Sequence, residues 1–209
     1  MDGRSYRAMS VAFALSLAGA LASYVAAGAT LGLLIGSVAF IALITPPMAL
    51  AVSQRSERGF IAIASVLGNA VVWMFSFPIV DALRCGLILL AFALALVALT
   101  HGFRSARIRR SIAPALTTIL ALAWLSFPIW LRSDRSADLV AYHPIFAMNG
   151  VVKSIGIWTQ QPILYRLTTL GQDVSYELPT SIWLCVIAYG VIALLLLIPA
   201  RAGDELSDR

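Results

Sequence analysis

The chain has 209 residues, of which 60% are hydrophobic and 12% charged, with a formal net charge of +5. A mean hydropathy of +0.89 lies outside the range of soluble globular domains and places the chain in a lipid bilayer. With only two cysteines, the composition excludes a secreted disulfide scaffold, a disordered chain and, despite a pI near 9.7, a nucleic-acid-binding domain.

From Ala8 to Gln54 no Asp, Glu, Lys, Arg or His occurs, a run that fits two spans of about 20 residues each. Gly28-Ala29-Thr30 supplies the turn between spans at 8–27 and 31–53, with Thr30 as the N-cap of the second. Arg4, Arg7 and the small residues Ala18-Gly19-Ala20 also suit a cleaved signal peptide. The apolar run, however, passes into a second span without a polar start, so it is read as a span. The cluster Gln54 to Gly59 ends the pair, and spans three and four are predicted at 60–80 and 82–100 with Asp81 and Arg84 at their junction. Span four is short unless Arg84 snorkels to the headgroups, as long basic side chains near helix ends do. The basic stretch from His101 to Arg110 precedes span five at 112–131, which holds Pro114 in its first turn. A polar-apolar loop at 132–179 leads to span six at 180–200.

Of the 15 basic residues, this arrangement puts Arg84, Arg132, Arg135, Lys153 and Arg166 outside and the remainder inside. Most of the outer ones sit in the long loop, which weighs little in setting orientation. The predicted fold is therefore all-α, one integral membrane domain over 1–209 with six transmembrane helices and both termini inside. The basic excess is a topology signal, with some contact to anionic lipid. Trp73, Trp124, Trp130, Trp158 and Trp183 all fall toward the outer side, which reads either as headgroup anchoring or as the half where the protein builds its most structured contacts.

The outer loop is too apolar for a solvated linker. The run Leu139 to Met148 would be costly to leave in water. Pro162 to Gly171 reads as a short helix with Ile163, Leu167 and Leu170 on one face. Both pieces are expected to lie on the interface or to cap the bundle. His143 lies in the first, without the spacing partners of a metal or catalytic motif, and a packed or surface role is expected.

The possible functional polar residues are Asn69, Asp81, Arg84 and His143: Asn69 is expected to bond across to a neighbouring helix, with lining of a substrate path as the alternative, and Asp81 and Arg84 to pair with each other or with loop charges. Pro46 and Pro47 are expected to kink or break span two. The motif Ser-Phe-Pro-Ile, present at Ser76 to Ile79 and again at Ser126 to Ile129, marks the outer ends of spans three and five. Gly32 and Gly36 on span two, with Ala14, Ala18 and Ala22 on span one, are expected to bring those two helices together. Cys85 and Cys185 are read as small packing residues, with a disulfide between them left open. His101 is read as a lipid-headgroup contact. No histidine pair in facing spans suits haem, and no cofactor or metal is implied.

Six spans, both ends inside and an outer loop with short helices are similar in topology to the membrane domain of ABC-2-type exporters. That resemblance implies a transport subunit of the cell (inner) membrane, partnered by lipid, by other membrane subunits or by a separate ATPase, and not by nucleic acid. The sequence departs from it at Gln54 to Gly59, which is short for a cytoplasmic coupling element. A non-catalytic scaffold subunit is the alternative. A third reading is an outer-leaflet enzyme, for which His143, Asp81, Asp173 and Glu177 are the available groups.

Overall fold

The computed structural model describes residues 3–29, 31–52, 57–106, 108–126, 139–152 and 178–197. Those residues form seven helices and no strand: α1 (Gly3–Ala27), α2 (Leu31–Ala51), α3 (Arg58–Ser76), α4 (Ile79–Ser105), α5 (Ile112–Leu125), α6 (Pro144–Val151) and α7 (Trp183–Leu197). The first four are long and apolar enough to cross a membrane, while α5 and α7 are apolar helices of 14 and 15 residues. Their outer faces carry Val25, 84% exposed, and Phe75, 90% exposed, beside Leu67, Met74, Leu83, Leu184 and Leu195. Apolar area on that scale belongs in lipid, where no hydrophobic penalty attaches to it.

The first turn lies where the sequence places it. Gly28 closes α1 with φ +66°, and its N–H donates to the carbonyl of Tyr24 at 2.6 Å. A left-handed residue at this position is the common way to end a helix, and glycine adopts it without strain. Thr30 lies outside the described residues.

The second turn falls earlier than the charges suggest. Phe77 is extended, with φ −132° and ψ 160°, and α4 begins directly after Pro78. A proline cannot donate into the preceding helix and pushes the residue before it out of the helical region, so Pro78 sets the boundary. Asp81 and Arg84 consequently occupy the first turns of α4 rather than a loop. An acidic residue in a first turn complements the helix dipole, so Asp81 is a helix-start residue and not a break. The Ser-Phe-Pro-Ile motif does end α3, at Ser76.

Helix α2 is not broken at Pro46 and Pro47; it runs through both. Pro46 leaves the carbonyl of Ala42 without its usual donor four residues on. That carbonyl instead accepts from Thr118 Oγ1 of α5 at 3.1 Å. A neighbouring hydroxyl thus replaces the missing ladder bond, one of the few ways such a carbonyl is satisfied away from water. Thr118→Val is expected to cost about 0.6–1 kcal/mol. In a Pro46→Ala background, where the restored backbone N–H can bond the Ala42 carbonyl, the same change should cost close to nothing. Thermal unfolding of the four proteins of this cycle in detergent measures the difference, and equal costs in both backgrounds would exclude the substitution of one bond for the other.

Helices α1 and α3 approach most closely at Gly68, where an added Cβ would lie 2.6 Å from the carbonyl oxygen of Phe13 and 2.8 Å from the amide nitrogen of Leu17. Between α1 and α2 the close points are Gly19 on Phe40 and Gly36 on Ser23. The small residues that face inward on α1 are Ser5, Ala8, Ala12, Ser16, Gly19 and Ala20. Ala14, Ala18 and Ala22 are exposed instead. The stripe is real but rotated from the one expected, because its register is set by Gly68 and Gly36 on the partner helices.

One end of the bundle gathers charge. Ser5 donates to the carboxylate of Glu57, and Arg58 Nη1 lies 2.7 Å from His101 Nδ1. Glu57 and Arg58 are only 3% and 8% exposed. Guanidinium nitrogens only donate, so a ring nitrogen of His101 is the acceptor. His101 is therefore tied to Arg58. Arg110 Nη2 donates to the carbonyl of Leu50 at 2.7 Å, placing a cation on the open C-terminal end of α2. Charged and polar side chains thus link α1, α3, α4 and the approaches to α5 at this end.

Candidate functional site

At the opposite end the chain after α5 turns back into the bundle. Helix α6 starts with Pro144 in its first turn, where its fixed φ and missing N–H suit a helix start. Every residue from Pro144 to Val151 is buried. The helix packs against α4 and α2, so this part of the apolar run Leu139 to Met148 is a plug in the bundle rather than a helix on its surface. Near its end, Gly150 meets the returning chain so closely that a Cβ would lie 2.0 Å from the carbonyl oxygen of Pro179.

His143 precedes this helix and is fully buried. Its Nε2 lies 3.3 Å from the carbonyl oxygen of Leu125, to which it can donate, at the end of α5. Its ring is tilted against Trp124 at a centroid distance of 5.6 Å and against Phe146 at 5.0 Å. Trp124 Nε1 donates to the Tyr189 hydroxyl at 2.7 Å, and the Tyr189 ring stands edge-on to Phe92 at 5.2 Å. Cys185 Sγ lies 3.5 Å from the carbonyl oxygen of Tyr142. Side chains from α4, α5, α6 and α7 thereby converge on one aromatic cluster with the imidazole inside it.

Burial pushes the His143 imidazole down to about 3, against the smaller upward pull of the backbone carbonyls of Leu125 and Trp124. A charged ring would lose its hydration among these aromatic side chains, and two carbonyls do not make up the loss, so the neutral form prevails. An imidazole held neutral behind Trp124 and Phe146 is a wall component. It has neither the solvent access nor the poise near neutral pH that acid-base work asks of a histidine.

The other sequence candidates are dispersed. Asn69 is fully buried, but its Nδ2 donates back to the carbonyl of Ser65 at 3.1 Å within its own helix. The interhelical bond expected of it is made one turn later, by Trp73 Nε1 to Ser37 Oγ at 3.1 Å. Asp81 and Arg84 do pair, at 3.9 Å, an exposed contact of small worth by itself. Arg84 also lines an open groove of about 340 Å³, with Leu87 from α4, Val151 from the end of α6 and the segment Thr180–Trp183 leading into α7. Cys85 and Cys185 are separate buried thiols. Among the described residues no group of three His, Cys, Asp or Glu side chains could hold a metal. Asp173, Glu177 and the helix expected at 162–171 lie outside the described residues.

Sequence reasoning missed Thr118, Trp124 and Tyr189 as partners. The signal for α6 was present in Pro144, a helix-starting residue at the head of the apolar run. No protein-family model, curated protein or solved structure matches the chain.

Proposed function

We propose that the protein is an integral membrane subunit of a multi-component transport complex in the cell (inner) membrane, with six spans and both termini inside. Helices α5 and α7 would form the cores of the fifth and sixth spans. One observation supports the reading above all: α6, buried along its whole length, fills the outer end of the bundle. Among the described residues, the side chains of α6 take up the space between α2 and α4 at that end. Work done by such a bundle is done at its surfaces, shared with lipid and with other subunits. The Ser5–Glu57 and Arg58–His101 contacts, with the separate bond from Arg110 to Leu50, tie the helices together at the basic end, where an ATPase partner would push. The second reading, a scaffold subunit, rests on the same packing of α6.

Co-purification in mild detergent separates the two. A stoichiometric ATPase is expected. Recovery of other integral subunits without an ATPase would favour the scaffold. A homogeneous monomer carrying an activity of its own would overturn both.

A further inference from the structure

The groove beside Arg84 combines features that neither packing nor the proposed function uses. Its charged part holds the Arg84 guanidinium, half exposed at 54%, with the exposed residues Thr180 and Ser181 opposite. Its apolar part is formed by Leu87, Ile182 and Trp183. Leu87 and Trp183 are 46% and 60% exposed, and both continue into the apolar outer surface through Leu83 and Leu184, 63% and 51% exposed. The groove therefore crosses the line between the lipid-facing surface of α4 and α7 and their polar ends.

We infer that this groove binds one anionic phospholipid, with the phosphodiester on Arg84, Thr180 and Ser181 and an acyl chain along Leu87, Ile182 and Trp183. Charge complementarity selects the headgroup. A guanidinium binds phosphate oxygens through paired N–H donors, and hydroxyls supply further donors. Asp81, 3.9 Å from Arg84, offsets part of the local positive charge, which suits a phosphodiester monoanion better than a dianionic phosphate monoester. The exposed apolar side chains favour a lipid over a soluble anion, because a free phosphate makes no use of them. The tryptophan sits where an amphipathic ring meets the headgroup level.

The test is native mass spectrometry of the full chain, purified in detergent and titrated with dioleoylphosphatidylglycerol or dioleoylphosphatidylcholine. Preferential retention of one phosphatidylglycerol is expected. Arg84→Gln should lower that retention about fivefold, the factor one basic side chain contributes to anionic-lipid attraction, and Arg84→Lys should restore most of it. Asp81→Asn should raise it, an opposite sign that general damage to the fold would not give. Equal retention of the two lipids, or an Arg84→Gln protein that keeps the wild-type preference, would overturn the assignment. So would inorganic phosphate that binds the lipid-free chain and displaces the phosphatidylglycerol.

Discussion

Gly150→Ala should lower stability by about 3 kcal/mol, near the upper end of what one added methyl group does in a packed interior. The reason is geometric. The new Cβ would meet the carbonyl oxygen of Pro179 at 2.0 Å and its carbon at 3.0 Å, and backbone atoms cannot swing aside as the tip of a long side chain can. Either α6 or the segment leading into α7 must move. The thermal unfolding midpoint in detergent reads the loss. Maleimide labelling reads its cause, since Cys185, buried against Tyr142, should become reactive when α6 shifts. Gly86→Ala is the control: nothing lies within 4 Å of the added atom, and alanine in mid-helix should be neutral or stabilising by up to about 1 kcal/mol. An unchanged midpoint and an unreactive thiol in Gly150→Ala would mean that α6 is not wedged into the bundle.

The second large effect is expected in acid. The folded state holds the His143 imidazole down at about 3, whereas an unfolded histidine titrates near 6.5. Between those values the unfolded chain binds a proton that the folded chain does not, so stability rises with pH across the window and falls as the pH is lowered. The slope is about 1.4 kcal/mol per pH unit, and by pH 4.5 the loss should reach about 2–3 kcal/mol. His143→Phe keeps the ring and removes the titration. It should give a flatter profile of unfolding midpoint between pH 6.5 and 4.5, even if its midpoint at pH 7 is lower. The difference between the two profiles isolates His143. Superimposable profiles would show that the buried imidazole is reached by solvent in the folded protein.

How far the sequence reaches is visible in these residues. The Gly28 turn and the stop at Ser76 are local events, dictated by a glycine that accepts a left-handed conformation and a proline that cannot extend a helix. Both are legible. The boundary after α3 is misplaced when charge is weighed as a loop marker, because the proline at 78 has already decided it. The prolines at 46 and 47 are the reverse case: they threaten a helix locally, and the remedy comes from Thr118, 76 positions away from the carbonyl it serves. His143 looks like a loop residue for the same reason. Its burial depends on Trp124 and on Tyr189, which holds Trp124 in place, and neither is near it in sequence. The apolar excess of the outer loop announces that the segment has to be covered, and Pro144 marks where a helix can begin. Only the assembled bundle shows that the cover is α2 and α4.

That last arrangement bears on the order in which the molecule is built. A helix of eight residues is too short to hold itself together, and its hydrogen bonds persist only against a partner surface. The surfaces that receive α6 belong to helices far earlier in the chain. The early hairpins must therefore be seated side by side before α6 has anywhere to go, and the chain beyond it crosses Gly150 only once α6 has arrived. Assembly should thus run as a sequence of inserted helices followed by a late docking step, so that defects in α6 leave the first four helices intact and arrest the protein one step from completion.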